Sequence, residues 1–162
     1  MYEVETMKNL LVLFGGVSPE HEVSLRSAEF VLGHIDQSKY NVYAVGITKE
    51  GKWKYYPSKD YAAIRENHWQ EAEGVCDAAL SPSRGQGLLI LKPQGLEIVP
   101  IDCCFPVLHG ENGEDGSIQG LMQVAGVPCV GPGVTASASC MDKTMTKLVV
   151  GETGVRQANW YL

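Results

Sequence analysis

The sequence predicts an α/β fold with a mainly parallel sheet flanked by helices. Two apolar runs, residues 10–14 and 101–108, have the length and continuity of buried strands. Each run leads into a glycine-rich turn that carries a histidine and carboxylates, and a helical pattern follows each turn. In an open α/β sheet such turns lie at the carboxyl ends of the strands, where ligands bind. The two turns are therefore the candidate functional region.

Strand and helix patterns alternate in the first half of the chain. The predicted elements are a strand at 8–14, a helix at 19–36, a strand at 40–47, a short return strand at 53–56 and a helix at 61–70. Ser18 is a suitable N-cap for the first helix, and Pro19 suits its first position. The polar turn at 48–52 makes the second and third strands a hairpin.

The second half contains a hairpin that we expect beside the parallel sheet or at its edge. The predicted elements are an irregular segment at 74–87, hairpin strands at 88–91 and 96–99, a central strand at 101–108, a helix at 117–125, a short strand at 128–131, a helical region to Val150 interrupted near Cys140, and the start of a new strand at 154–162. Pro106 cannot donate to a strand ladder, so we place it at the strand end, where the second turn begins. The pattern therefore predicts an open α/β sheet with an inserted hairpin region.

Composition excludes several classes of partner. The 162 residues carry a net charge of −6 without a Lys/Arg cluster, which argues against nucleic acid. No apolar run approaches the roughly 20 residues that cross a bilayer, so no membrane partner is expected. Residues 1–9 are acidic and lack a signal-peptide pattern, which favours a cytoplasmic location.

The five cysteines are interpreted as reduced thiols that pack as small apolar residues. Their number is odd and none forms a C-x-x-C pair, so a metal site or a catalytic thiol is the less favoured alternative. They are Cys76, Cys103, Cys104, Cys129 and Cys140.

The first turn permits two interpretations. Gly15 and Gly16 precede a helix N-terminus and could cradle a phosphate, or they could form a plain strand-to-helix turn. The dinucleotide spacing G-x-G-x-x-G is absent, since the next glycine is Gly33. Glu20 could hold a substrate ammonium through a charge-assisted hydrogen bond, or it could complement the helix dipole as Glu22 does.

The second turn leaves similar alternatives open. His109 could be a satisfied turn residue, or it could contact a carboxylate or act in acid–base chemistry. The acids Glu111, Glu114 and Asp115 do not follow the EF-hand pattern, so solvated acids that cap the next helix are favoured over a cation loop. Lys143, taken by itself, is interpreted as a solvated helix lysine.

Three segments in series resemble the motifs of D-alanine–D-alanine ligases. The first runs from Gly15 to Ala28, and the second from Leu108 to Gly120. The third combines residues 131–138 with Met141-Asp142-Lys143. The resemblance covers about residues 7–162, and the order and spacing of the motifs make it specific.

The resemblance implies the N-terminal part of an ATP-grasp enzyme and a pre-ATP-grasp, Rossmann-like domain. The domains would be a leader at 1–6, a substrate-wall domain at 7–140 with a variable insert at 48–98, and a linker helix at 141–162 that starts a truncated central domain. The family uses ATP and Mg²⁺ to activate one D-alanine for attack by a second, in peptidoglycan synthesis. A homodimer is possible, because family members are commonly dimers.

The resemblance also implies roles for particular residues. Glu20 matches the carboxylate that holds the ammonium of the first D-alanine, and Val23 and Ser24 match residues beside it. His109 matches a histidine on the substrate wall, and Lys143 matches a lysine that reaches the ATP phosphates. Metal ligands of the family fall outside this sequence, so we expect no metal site and negligible ligase activity from these residues alone.

Two other function classes remain as alternatives. The chain could be a non-catalytic α/β module that binds a small amino acid or nucleotide. A Rossmann-type oxidoreductase fragment is disfavoured, because the third glycine is missing and no acidic residue directly follows the second strand.

Overall fold

A seven-stranded sheet forms the centre of the computed structural model, which describes residues 7–161. The strands are β1 Lys8–Gly15, β2 Tyr40–Ile47, β3 Trp53–Tyr56, β4 Cys76–Leu80, β5 Leu88–Lys92, β6 Gly95–Val99 and β7 Cys103–Leu108. The helices are α1 His21–His34, α2 Tyr61–Arg65, α3 Ser117–Ala125, α4 Val134–Met141 and α5 Lys143–Gly151. The predicted leader, residues 1–6, lies outside the described residues.

The sheet has the strand order β6-β5-β4-β3-β2-β1-β7. β1 pairs in parallel with β2 and with β7, whereas the four other neighbouring pairs are antiparallel. The α/β class with flanking helices is confirmed, but the expectation of mainly parallel pairing is wrong. The cause is the segment 48–98, whose strands extend the sheet itself. Short connections join β2 to β3, β4 to β5 and β5 to β6, and these allow only antiparallel neighbours.

A strand occupies part of the segment that the sequence predicts to be irregular. β4 pairs with β3 on one side and β5 on the other, and its residues alternate between buried and accessible positions. Its sequence, Cys-Asp-Ala-Ala-Leu, contains no β-branched or aromatic residue, so local propensity does not reveal it. Pairing with two neighbours makes this segment a strand.

The helix predicted at 61–70 divides into two pieces. α2 ends at Arg65, Asn67 has a φ of 61°, and a separate 3₁₀ turn covers Trp69–Glu71. The division allows Trp69 to turn into the core, where its ring meets that of Phe14 edge-on at a centroid distance of 5.0 Å. Tertiary packing of one tryptophan therefore overrides the continuous helix.

β7 lies at one end of the strand order and holds Pro106 in its interior, so the predictions of a central strand and of a proline at its end are wrong. Cys104 directs its N–H and C=O away from β1, since it bonds Pro128 and Val130. Residues two apart point to the same side, so Pro106 also faces outward, where a ladder donor is not required. The strand predicted at 128–131 is therefore present only as a single parallel bridge between Cys129 and Cys104.

Each face of the sheet carries its own hydrophobic core. One core packs β1 residues such as Leu11 and Leu13 with Met122 of α3. The opposite core packs Val12 and Phe14 with side chains of α1 and α2. β1 is buried on both faces, which explains its continuous apolar run.

The C-terminal helices meet at Asp142, close to the interruption predicted near Cys140. Asp142 ends α4 with extended backbone, and its carboxylate accepts a hydrogen bond of 2.9 Å from the Met145 N–H at the start of α5. The strand predicted to begin at 154 is wrong for the described part, because residues 154–161 pair with no other strand.

Candidate functional site

The first turn depends on a close backbone approach between β1 and β2. Gly15 has a φ of 85°, and a Cβ at this position would overlap the Ile47 carbonyl oxygen. The Gly16 N–H donates a 2.8 Å hydrogen bond to the same oxygen. Only glycine combines this φ with this approach, so the Gly15-Gly16 pair fixes how the chain leaves the sheet toward α1.

The second turn is held by its own acids. Asp115 accepts hydrogen bonds from the Asn112 N–H at 2.8 Å and the Ser117 N–H at 2.9 Å. Burial raises the pKa of Asp115, but these hydrogen bonds outweigh it and leave the pKa below the ordinary value. Glu114 accepts a 2.8 Å hydrogen bond from the Gly110 N–H. The two acids therefore order the turn and the start of α3.

The two turns lie side by side at the carboxyl ends of β1 and β7. The register aligns Gly15 with Leu108, so both strands end at one edge of the sheet. The Ser18 hydroxyl donates a 2.7 Å hydrogen bond to the His109 carbonyl and accepts one of 3.1 Å from the Glu20 N–H. A single side chain thus joins the first turn to the second.

Glu20 lies against the second turn. A Cβ at Gly110 would be 2.5 Å from Glu20 Oε2, so the carboxylate fits there only because residue 110 is a glycine. Within residues 7–161, the Glu20 carboxylate takes part in no hydrogen bond or ion pair, whereas the Glu22 carboxylate is paired with Lys49. Glu20 is exposed and therefore keeps its acceptor atoms accessible at the junction of the turns.

The other residues matched by the resemblance take different positions around the turns. Val23 lies on α1 with 45% of its surface exposed. Ser24 is fully buried; its hydroxyl accepts a 2.8 Å hydrogen bond from the Gly15 N–H and donates to the Val107 carbonyl. These contacts of Ser24 link the ends of β1 and β7. A direct role of Ser24 in substrate binding stays a prediction.

His109 and Lys143 are placed apart. His109 is half-buried, and its Nε2 is 3.1 Å from Ser27 Oγ on α1, which orients the ring. Lys143 is exposed at the start of α5, and the polar contacts of the two turns do not include it. Glu20 and His109 therefore lie at the same junction of turns, whereas Lys143 makes no polar contact with either turn in the described part of the chain.

A cleft of about 300 Å³ opens between the two turns. Its lining includes Gly16, His109, Glu111 and Trp53. Its volume is at the lower end of small-ligand sites. The second turn contributes the polar side chains of His109, Glu111 and Asn112, whereas the first turn contributes Gly15, Gly16 and Val17. Neither Glu20 nor Gly110 is part of this lining.

Sequence reasoning missed two residues that build the site. The sequence indicates Ser18 only as a helix cap, and no sequence signal reports its bond to His109, which is 91 residues away. His21 is almost fully buried, and its Nδ1 is 2.6 Å from the Gly16 carbonyl oxygen. This buried contact holds the first turn in place. A histidine one residue after a candidate ligand acid is a weak signal that could have suggested this role.

The remaining chemistry-bearing groups are dispersed. All five cysteines are free, and Cys140 is exposed rather than packed. In the part of the chain that the structure describes, no three His, Cys, Asp or Glu side chains are grouped as a metal would require. Among the helices of residues 7–161, none has the length and apolar character to cross a membrane.

Together these features define an α/β domain with a candidate small-ligand site at the carboxyl ends of two parallel strands. Residues 9–132 match the family model described as "D-ala D-ala ligase N-terminus". The chain belongs to the D-alanine–D-alanine ligase family, of which it represents the N-terminal domain.

Relatives agree with this assignment and show how much of their length the chain covers. It is 46% identical over 156 residues to a D-alanine–D-alanine ligase of Clostridium novyi, with 94% of this chain and 41% of that protein covered. It is 45% identical over 148 residues to the Thermoanaerobacter sp. enzyme, covering 91% and 41%. The VanG D-Ala:D-Ser ligase of Enterococcus faecalis superposes with a TM-score of 0.85 at 39% identity, covering 93% and 43%. The chain therefore spans about two fifths of the length of these relatives.

Proposed function

We propose that this chain forms one wall of the first D-alanine site in an ATP-dependent D-alanine–D-alanine ligase. The observation that carries the proposal is the unengaged Glu20 carboxylate held against Gly110 at the junction of the two turns. A carboxylate in this position can accept hydrogen bonds from an ammonium group and supply an opposite charge. His109, whose ring is oriented by Ser27, would stand on the same wall.

The proposal also assigns roles to Val23, Ser24 and Lys143. Val23 is accessible one helical turn beyond Glu20 and could contact the methyl side of the substrate, and Ser24 would position the turn. Lys143 would reach the phosphates of ATP, consistent with its exposed side chain at the start of α5. These roles follow from the family resemblance and need the rest of the parent enzyme.

The phosphoryl-transfer step would depend largely on residues outside this chain. Such chemistry is driven by an electrostatic clamp of cations, including Mg²⁺, on the transferred group. The described residues offer one candidate lysine and no grouped metal ligands, so they do not fit a Mg²⁺ site by themselves. We therefore propose that the 162 residues are inactive alone and that the parent supplies the second substrate site, the metal ligands and the adenine pocket.

The cellular context completes the same proposal. The dipeptide product would feed peptidoglycan synthesis in the cytoplasm, where ATP is available. A homodimer of the parent is compatible with this function, and no nucleic acid is required.

The test compares two neighbouring acids in the full-length parent. Glu20→Gln should lower kcat/KM for D-alanine roughly 10- to 100-fold, because a hydrogen bond to a charged group contributes about 1.5–3 kcal/mol. Glu22→Gln is the matched control and should leave kcat/KM nearly unchanged, since Glu22 pairs with Lys49. The readout is phosphate release from ATP with and without D-alanine.

Two results would contradict the proposal. If Glu20→Gln and the unmodified parent had equal kcat/KM for D-alanine, Glu20 would not be part of the substrate site. Absence of any D-alanine-dependent phosphate release would instead favour the non-catalytic binding module.

A further inference from the structure

The ring of His109 makes one hydrogen bond in the described part of the chain, and its partner is Ser27 of α1. The Ser27 Oγ lies 3.1 Å from His109 Nε2 and 3.0 Å from the Val23 carbonyl oxygen, one helical turn back. Ser27 and His109 are both half-buried, which limits competition from water for the contact between them. The Ser27 hydroxyl thus stands between a ring nitrogen and a carbonyl oxygen.

The single hydrogen of this hydroxyl decides which nitrogen of the neutral ring is protonated. The Val23 carbonyl can only accept, so it takes the Ser27 hydrogen, and the Ser27 oxygen then accepts from His109 Nε2–H. Both hydrogen bonds form in this arrangement. With the proton on Nδ1 instead, the one hydroxyl hydrogen would face two acceptors, and one of the two bonds would be lost. The contacts therefore favour the Nε2–H tautomer.

Nδ1 of the same ring is left as an open acceptor. Within residues 7–161 it takes part in no hydrogen bond, and it retains access to solvent. His109 belongs to the lining of the cleft between the two turns. A lone pair on a ring nitrogen accepts from a donor such as an amino group and offers nothing to a carboxylate.

We propose that Ser27 is a positioning residue, which holds the neutral His109 ring as its Nε2–H tautomer so that Nδ1 accepts a hydrogen bond from the amino group of a D-alanine substrate. The identity of the substrate rests on the proposed function, whereas the tautomer depends only on contacts within this chain. Of the roles that the sequence leaves open for His109, contact with a carboxylate is disfavoured, because the neutral ring has no free donor.

The first experiment measures the tautomer directly in the 162-residue protein. Long-range ¹H–¹⁵N NMR spectra distinguish the two forms, because protonated and unprotonated ring nitrogens have well-separated chemical shifts. The chain contains four histidines, and the loss of one set of signals in His109→Gln identifies the ring of interest. At about pH 9, well above the ordinary imidazole pKa of about 6.5, His109 should show a protonated Nε2 and an unprotonated Nδ1.

Two substitutions of Ser27 test the origin of this preference. Ser27→Ala should lower the ratio of the Nε2–H to the Nδ1–H tautomer roughly 3- to 10-fold, because one hydrogen bond no longer separates the two forms. Ser27→Thr should restore the ratio, since a threonine hydroxyl can also bond the carbonyl one turn back. Alanine is a good helix former, so Ser27→Ala should keep the fold, and its melting temperature checks this.

The second experiment measures kinetics in the full-length parent. Ser27→Ala should raise the KM for D-alanine roughly 3- to 10-fold and leave kcat and the KM for ATP nearly unchanged, because the lost contact is to bound D-alanine. Ser27→Thr should restore the KM for D-alanine. A serine that only supported the fold would not change the KM for D-alanine alone.

Two outcomes would overturn the proposal while leaving the proposed function standing. An unchanged tautomer ratio in Ser27→Ala would show that the hydroxyl does not set the ring. A changed ratio with an unchanged KM for D-alanine, in a parent that Glu20→Gln impairs, would show that the ring does not serve the substrate. A parent without D-alanine-dependent phosphate release would instead overturn the proposed function, and the role of Ser27 in the reaction with it.

Discussion

The junction of the two turns depends on one glycine. Gly110 has a φ of 69°, and its missing side chain leaves the space in which Glu20 Oε2 lies. Ser18 approaches the same point and bonds the neighbouring His109 carbonyl. The position of the Glu20 carboxylate therefore depends on the absence of a side chain at Gly110.

Gly110→Ala should therefore both destabilise the protein and displace Glu20. The left-handed backbone alone costs an L-residue about 1–2 kcal/mol, and the new Cβ would lie 2.5 Å from Glu20 Oε2. The free energy of unfolding in urea should fall by at least that amount, and D-alanine use by the parent should weaken.

Gly120→Ala provides the matched comparison for that variant. Gly120 lies inside α3, and a Cβ there meets no atom within 4 Å, so alanine should raise the free energy of unfolding by about 0.5–1 kcal/mol. Equal effects of the two variants would show that the Gly110 environment is not restrictive.

At the scale of elements, the 3₁₀ turn at Trp69–Glu71 packs against β2 because Gly46 has no side chain. The Trp69 ring lies over Gly46 and meets the rings of Phe14 and Tyr56 edge-on. The absence of a side chain in β2 makes room for the largest buried side chain of the core. This contact explains why the helical pattern at 61–70 is broken.

Gly46→Ala should be strongly destabilising without any backbone strain. The new Cβ would overlap the Trp69 ring and lie 2.8 Å from Phe14, and overpacking of this kind costs about 1–3 kcal/mol. Tryptophan fluorescence should also shift, because Trp69 must move. Gly33→Ala in α1 meets no atom within 4 Å and should be neutral or stabilising; an equal loss in both variants would contradict this account.

At the scale of the whole molecule, five acids among the described residues prefer their charged form in the folded state. The pKa of each lies below its ordinary value, because side-chain or backbone donors hold the carboxylate. The five are Glu22, Asp36, Glu50, Asp77 and Asp115. Four of them are surface groups, so each adds little, whereas Asp115 also organises the second turn.

Stability should consequently fall on acidification. The unfolded chain binds protons near the ordinary carboxyl values of about 4, whereas the folded chain binds them at lower pH. The contribution is fully present above about pH 5 and is lost as the pH falls through the depressed values. Urea midpoints between pH 6 and pH 3 measure this loss, and a flat profile would refute it.

Asp115→Asn tests how much of the acid dependence belongs to the second turn. The amide keeps one acceptor but loses the charge, so the slope of stability against pH should decrease.

The contribution of the Lys49–Glu22 and Lys54–Asp77 ion pairs to the acid dependence should weaken in 1 M salt, because exposed pairs are screened.

Local patterns were sufficient to predict the elements that carry the site. β1, α1 and α3 follow continuous apolar runs or helical periodicity, and Gly126 ends α3 with a φ of 73°, as a C-terminal glycine should. The placement of the two turns at one sheet edge follows from parallel pairing, which the periodicity already implied. The sequence therefore predicted that the turns carrying Glu20 and His109 would meet, whereas the roles of these two residues came from the family resemblance and stay predictions.

The features that escaped prediction all depend on distant contacts. β4 becomes a strand through its two neighbours, and α2 is cut short by the burial of Trp69. The bonds of Ser18 and Ser24 to the second turn and to β7 span 91 and 83 residues, a separation on which local periodicity carries no information.

The outward-facing Pro106 has a consequence for self-association. Ordered strand-by-strand polymers grow only when each molecule offers two open sheet edges. Pro106 lacks the N–H that an incoming chain would need at β7, so that edge is blocked, whereas β6 carries no proline. Within the described residues, strand addition would therefore be restricted to β6, and any growth by this route would end at a pair.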